Sequence, residues 1–292
     1  MTFRKNIHNK EVESDHWDII IKPQTSIFEI DFAEIWRYRD LLFMFVKRDI
    51  VTFYKQTILG PLWFFIQPLF TTLMFIIVFG GLAKISTNGL PQGLFYMAGI
   101  LCWNYFSDCL NRTSTTFKEN QQIFGKVYFP RVVVPLSIVL SNLVRFGIQF
   151  ILFIAIYIYY LLIGVSIHPN FGILLLPVLI FIMAGLALGF GMIITAMTTK
   201  YKDLVFLVQF GVQLWMYATP VIYPLSSTPE KYRWLIVANP MTAVVETFKY
   251  GFLNQQPFEL YHLLYSIGFT IVILSTGIII FNKVEKGFMD TI

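Results

Sequence analysis

The residues that ordinarily carry chemistry are few in this chain, and they do not gather. The four histidines, His8, His16, His168 and His262, stand far apart and match no metal-ligand spacing. No Ser/His/Asp arrangement is suggested, and no pair of carboxylates recurs along one helix, so nucleophilic or acid–base catalysis has no grouped machinery. The two cysteines, Cys102 and Cys109, sit seven residues apart on one expected helix. That places them about 10 Å from each other along its axis, too far to bridge, and both read as packing residues. What remains is electrostatic. Arg145 lies inside a long apolar run, where a lone arginine costs about 2.5–3.5 kcal/mol on the insertion scale and so needs a partner or water. Asp108, near the end of another apolar run, is one candidate partner, and an anionic group on a bound molecule is the other.

The elements that must position these residues follow from composition. Of 292 residues, 56% are hydrophobic and only 13% charged, with a mean hydropathy of +0.65. A soluble domain carries about 25% charged residues. The apolar runs are continuous rather than alternating, which selects helical spans over a barrel. The chain is thus expected to be an all-α integral membrane protein with six transmembrane helices. To these are added an N-terminal amphipathic interface helix and two short re-entrant helices between spans five and six.

Taken in order, residues 1–35 are a polar lead-in with no signal-peptide pattern. Its short apolar patches, Trp17–Ile21 and Ile27–Phe32, are too small for a core. Residues 36–60 form the interface segment. A helix from about Asp40 to Leu59 places Leu42, Val46, Ile50, Phe53 and Thr57 on one arc, with Arg37, Lys47, Arg48 and Lys55 on the other side. Such a helix suits the headgroup layer. Gly60-Pro61 then breaks it, and a six-span domain occupies residues 61–292. The spans are expected at about 61–83, 94–110, 132–164, 171–197, 204–219 and 261–281. A polar segment at 113–130 has room for one short helix around Ser114–Phe124. The Gly185–Gly189 pair suggests close packing inside one subunit. Residues 220–257 carry Pro220, Pro224, Pro229 and Pro240. Two short helices fit there, one opening at Thr228-Pro229 and ending near Ala238, the other opening at Asn239-Pro240 and ending near Leu253.

Counting cations gives the orientation. The segments 1–60, 111–131, 198–203 and 282–292 hold seventeen Lys and Arg, whereas the opposite loops hold only Lys84, Lys231, Arg233 and Lys249. Both termini are therefore expected in the cytoplasm. No G-x-x-x-x-G-K-[ST] occurs, so any ATP-driven work requires a second subunit. The 113–130 segment, with Phe117 and Phe124 on one helical face and charges around them, is the natural place for such a subunit to dock.

Several motifs stand in register with a known family. Arg48-Asp49, Tyr54-Lys55-Gln56-Thr57, Leu59-Gly60-Pro61, Trp63 and Pro68 resemble the permease subunits of bacterial ABC exporters for cell-surface polysaccharides. Lys126–Arg131, Lys200–Leu204, Asn239-Pro240 and the tail residues Glu285, Phe288 and Asp290 continue the resemblance over residues 35–292. The short loop departs from the family in having Lys where Arg is usual.

The resemblance implies a homodimer joined to two nucleotide-binding ATPase subunits in the bacterial inner membrane. ATP and Mg would be held by those partners, and no cofactor by this chain. Phe117, Lys118, Gln121, Phe124, Lys126 and Tyr128 would couple to the ATPase, with Arg48, Asp49, Tyr54, Lys55 and Gln56 contributing from the interface helix. Aromatic rings suit sugar, and Trp63, Phe64, Trp103, Tyr105, Trp215 and Tyr217 are the channel-lining candidates. Pro229, Trp234, Asn239, Pro240 and Glu246 belong to an outer gate. Arg145 would meet the anionic head of a lipid-linked polysaccharide of O-antigen type, bound through a pyrophosphate. A same-fold exporter of a small lipid or drug, or a membrane enzyme of glycan assembly, remain the alternatives at this level.

Overall fold

Apolar runs without alternation have one way to satisfy their backbone in a dry environment, which is to coil. The computed structural model describes residues 32–288, other than 56, 57, 202 and 255–258, and these form helices with no strand among them. Most of the lead-in, together with Gln56, Thr57, Lys202, Pro257 and Asp290, lies outside the described residues. So do the side chains of Phe53, Tyr54, Glu285 and Phe288. Helices α1 (Phe32–Arg37) and α2 (Arg39–Tyr54) come first. α3 (Trp63–Phe75) follows a 3₁₀ turn at Gly60–Leu62 and runs into a π-helical end at Ile76–Leu82. Then come α4 (Gln92–Thr113), the single turns α5 (Thr116–Glu119) and α6 (Gln121–Phe124), and α7 (Val133–Leu162). α8 (Leu176–Thr198), α9 (Leu204–Tyr217), α10 (Glu230–Val237), α11 (Pro240–Leu253) and α12 (Leu260–Phe288) complete the chain.

Four helical stretches are long and apolar enough to cross a membrane: Gly60–Leu82, Val133–Leu162, Phe171–Thr198 and Leu260–Val284. The two further spans expected from the sequence are helical but differ from that pattern. α4 is long enough, rising about 33 Å, yet carries Asn104, Asp108, Asn111 and Arg112. It is wrapped by α3, α7, α8, α9 and α11, so protein rather than lipid covers most of it. α9 has only 14 residues, about 21 Å of helix.

Local chemistry sets the joints. α2 stops at Tyr54, five residues earlier than its pattern suggests, because Lys55 turns extended at ψ 129°. Gly60 then adopts φ +51°, a left-handed conformation that costs glycine nothing. Beyond Phe75 the amide of Ala83 reaches back five residues to Val78 and that of Ile85 six to Phe79. β-branched Ile76, Ile77 and Val78 followed by Gly80-Gly81 are poor material for regular α-helix, which accounts for the widened coil. The polar segment holds two single turns instead of one helix, parted at Asn120, whose side-chain amide donates to its own Thr116 carbonyl.

The core centres on α4 and a tight α8–α12 pair. A Cβ on Gly189 would lie 2.8 Å from the Ile273 backbone, one on Gly277 would lie 2.5 Å from the Gly189 carbonyl oxygen, and one on Gly185 would meet Thr270. The backbones touch there. The glycine pair thus packs inside the subunit, where dispersion between close backbones holds helices together without a hydrophobic driving force.

Candidate functional site

The candidate residues fall into three groups along the helices. At one end, α2, the C-terminus of α4, the α5–α6 turns and the start of α7 close into a frame. α2 turns Phe45 and Asp49 inward, and both are buried. Leu42, Val46 and Ile50, expected to form its apolar stripe, are only half-buried beside them. The helix packs on protein, chiefly α7, through a face rotated from the one the pattern suggests. The Asp49 carboxylate accepts from Arg48 at 2.9 Å and from Arg112 at 3.1 Å. A buried carboxylate that receives two guanidinium groups stays charged without being orphaned.

Rings extend the frame. Phe45 meets Phe129 at 5.8 Å, Phe129 meets Phe124 at 5.7 Å, Phe124 meets Phe117 at 5.9 Å, and Phe117 stacks on Phe281 of α12 at 4.7 Å. Hydrogen bonds join the same segment to α8. The Phe117 amide donates to Thr195 Oγ1, and Thr198 Oγ1 donates to the Ser114 carbonyl. Phe117 and Phe124 are accordingly interior residues, not a docking face. The surface of the segment is made by Lys118, Gln121, Lys126 and Tyr128, all exposed. Lys55 is exposed as well. A 260 Å³ pocket opens between these elements, lined by Arg48, Asp49, Thr52, Arg112, Glu119 and Asn120 among others.

One layer deeper, Arg145 of α7 faces Asp108 of α4 at 3.9 Å and lies 5.6 Å from the Phe64 ring of α3. The lone cation has the partner that its position requires, and it ties three helices. The proposed channel aromatics divide. Trp63 and Tyr217 are exposed, whereas Trp103 and Tyr105 are buried at 4% and 3% and belong to the core. Trp215 is half-buried against Trp103, Phe106 and Phe190. With Phe190, Leu214, Gly211 and Ala218 it lines an apolar groove of about 490 Å³ beside α9.

At the other end, α10 and α11 sit where the proline pattern puts them. α10 begins at Glu230, one residue later than Pro at its first position would give, since Pro229 itself is extended at ψ 138° and serves as the cap. Pro229 and Trp234 are exposed. α11 is capped as expected: the Asn239 side chain accepts from the Met241 amide, and Pro240 occupies the first turn. Its other side-chain atom, Nδ2, donates to the Ala218 carbonyl and to Thr219 Oγ1. Glu246 is half-buried one turn from Lys249, which is fully buried. The Lys249 ammonium donates to the Pro220 carbonyl at 2.6 Å and rests 3.5 Å from the centre of the Phe95 ring. Burial pushes its pKa down, and the Glu246 carboxylate opposes that shift.

Two of these residues are not singled out by sequence reasoning. Arg112 reads only as one of many cations at its end of the chain, and Lys249 as one of four in the opposite loops. The signal for Lys249 is the Glu246–Lys249 spacing inside an otherwise apolar helix, which demands internal pairing.

A family model described as "ABC-2 type transporter" matches residues 40–253. The O-antigen export system permease protein RfbA of Klebsiella pneumoniae is 28% identical over 256 residues, covering 86% of this chain and 94% of the relative. RfbA of Myxococcus xanthus is 28% identical over 262 residues, covering 89% and 98%. The polysialic acid transport protein KpsM of Escherichia coli is 23% identical over 247 residues, covering 84% and 93%.

Proposed function

This chain belongs to the ABC-2 type transporter family, and on that premise we propose that it is the permease of an ATP-driven exporter of lipid-linked polysaccharide, of O-antigen type, acting across the bacterial inner membrane. The observation that carries this reading is similarity over 94–98% of the length of relatives named O-antigen export permeases. The chain has no P-loop, so ATP and Mg would be held by a nucleotide-binding partner, two copies of which would serve two copies of this chain.

The six-span arrangement takes α4 and α9 as crossings beside the four long apolar helices, with both termini cytoplasmic by the distribution of Lys and Arg. α10 and α11 then lie at the outer face, with α11 shielded by protein as a re-entrant helix must be, and the α2 frame lies in the cytoplasm. The ATPase would press on the exposed row Lys118, Gln121, Lys126 and Tyr128. The buried rings behind that row would carry its movement to α2 and α12.

Of the six helices taken as crossings, α3 and α9 are the least covered within one subunit. Only Pro68 and Thr72 are buried on α3, and only Val205 and Val212 on α9. Those faces are available to a second copy and to the polymer. Trp63 and Tyr217 present rings on which sugar CH faces can stack, by the same quadrupole logic that orders aromatic pairs. Arg145, 3.9 Å from Asp108, would receive the pyrophosphate of the carrier.

Purification of the tagged chain from its native membranes in mild detergent tests the reading. We expect a P-loop ATPase to co-purify in equal amount, and to be lost from a Lys126→Glu/Tyr128→Asp variant that remains folded. A folded, dimeric chain that brings down no ATPase overturns it.

A further inference from the structure

The last carbonyls of a helix have no intrahelical donor and must find one elsewhere. At the end of α9 the Trp215, Met216 and Tyr217 carbonyls are taken locally, by the Ala218 and Thr219 amides and the Thr219 and Tyr223 hydroxyls, whereas the carbonyls just beyond the helix are taken by side chains at the cap and in the body of α11. Asn239 Nδ2 donates to the Ala218 carbonyl at 3.2 Å and to Thr219 Oγ1 at 2.8 Å. Lys249 Nζ donates to the Pro220 carbonyl at 2.6 Å and the Val221 carbonyl at 3.4 Å. Tyr223 OH takes the Tyr217 carbonyl at 3.1 Å. A buried cation persists only where carbonyls, a ring and a counter-charge replace water. Lys249 has all three, in Pro220 and Val221, Phe95 and Glu246.

α11 is itself firmly set. Ser266 of α12 donates to the Pro240 carbonyl, and Asn170 donates to the Tyr250 carbonyl. On the other side of the joint, a Cβ at Gly99 of α4 would come within 2.9 Å of the Val221 carbonyl oxygen. The backbone of the α9–α10 connection is therefore wedged between α4 and α11. The body of α9 is unlike its end, for Phe206, Leu207, Gln209, Phe210 and Gln213 are all exposed.

We propose that Asn239 and Lys249 are positioning residues that clamp the segment just past the outer end of α9 to α11, so that this end of α9 and α11 move as one body when the exporter cycles. The role of that joint motion in transport rests on the exporter reading above. The clamp itself does not.

The test uses the permease purified with its ATPase and reconstituted in vesicles, with Cys102 and Cys109 replaced by Ala and Val221→Cys as reporter. Val221 is fully buried in the clamp, so a membrane-impermeant maleimide added at the outer face reads its opening. We expect no labelling at rest and none during ATP turnover. Lys249→Met removes the ammonium, and Asn239→Asp keeps the α11 cap while removing the donor to Ala218. Each is expected to speed labelling at least tenfold. Labelling during turnover with the clamp intact overturns the one-body motion. Protection that persists in both variants overturns the clamp. If Lys249→Met does not assemble, Asn239→Asp and the turnover arm decide alone. Failure of the exporter reading shows separately, as the absence of any co-purifying ATPase, and leaves the resting arms valid.

Discussion

The Asp49 carboxylate on α2 accepts the Arg112 guanidinium at 3.1 Å, joining residues 63 positions apart at the end of α4. Arg48 holds the same carboxylate from within α2. This joint makes α2 part of the frame around the α5–α6 turns rather than a helix attached only through its apolar side. Asp49→Ala and Arg112→Ala should each lower stability by about 1.5–3 kcal/mol, the range for hydrogen bonds to charged groups. The double variant should lose little more than Asp49→Ala alone. Thermal melting in detergent checks this, and additive losses would show that the two side chains do not act as one joint.

Burial separates two kinds of residue in the segment after α4. Phe117 is fully buried and stacked on Phe281, so Phe117→Ala should cost about 3–5 kcal/mol, as core Phe truncations do. Lys118→Glu and Lys126→Glu change only exposed charge, and surface substitutions usually shift stability by less than about 0.5 kcal/mol. We expect size-exclusion profiles to degrade for Phe117→Ala. The two lysine variants should keep theirs but retain less ATPase.

Arg145 and Asp108 make a pair whose members are expected to differ in role. Arg145→Gln removes the cation and leaves Asp108, whose carboxylate is half exposed. Assembly should survive while export of the lipid-linked polymer falls more than tenfold. Asp108→Asn removes the carboxylate charge nearest the cation and should lower the folded yield, since weakening the compensation of an arginine in a span draws on a cost of about 2.5–3.5 kcal/mol. Full export by an assembled Arg145→Gln complex would take the head-group role away from Arg145.

Glycines in the long helices are not equivalent. At Gly189 a methyl group meets the backbone of α12, whereas at Gly147 and Gly268 it meets nothing within 4 Å. Gly189→Ala should destabilise the protein. Gly147→Ala and Gly268→Ala should be neutral or gain up to about 1 kcal/mol from helix propensity. Melting temperatures of the three variants give the comparison directly.

The helices were legible where one kind of signal acted alone. Long apolar runs marked α3, α7, α8 and α12, and Asn239-Pro240 marked the start of α11 because cap and proline agree. Arg145 pointed to Asp108 because an isolated charge in an apolar run needs a partner. Reading failed where one residue type serves several environments. Phe117, Phe124, Trp103 and Tyr105 are as apolar as any lipid-facing or sugar-facing ring, and only the fold shows that they pack inward. The inward turn of Asp49 was hidden in the same way, since its partner Arg112 is distant in sequence. α4 gives the opposite lesson. Its polar residues weaken the look of a span, yet they are the ones that protein neighbours are placed to receive.

The glycine seam between α8 and α12 has a consequence for how the chain is made. α12 begins about sixty residues after α8 ends and is complete about ninety residues after it, so the Gly185–Gly189 groove of α8 is made before the helix that fills it. Until α12 arrives, lipid tails must occupy a furrow shaped for a backbone, and the ring of Phe281 is not yet there for Phe117. Within one subunit the furrow and the Phe117 ring contact thus close only once α12 is made, and a chain cut short before Leu260 would leave both open.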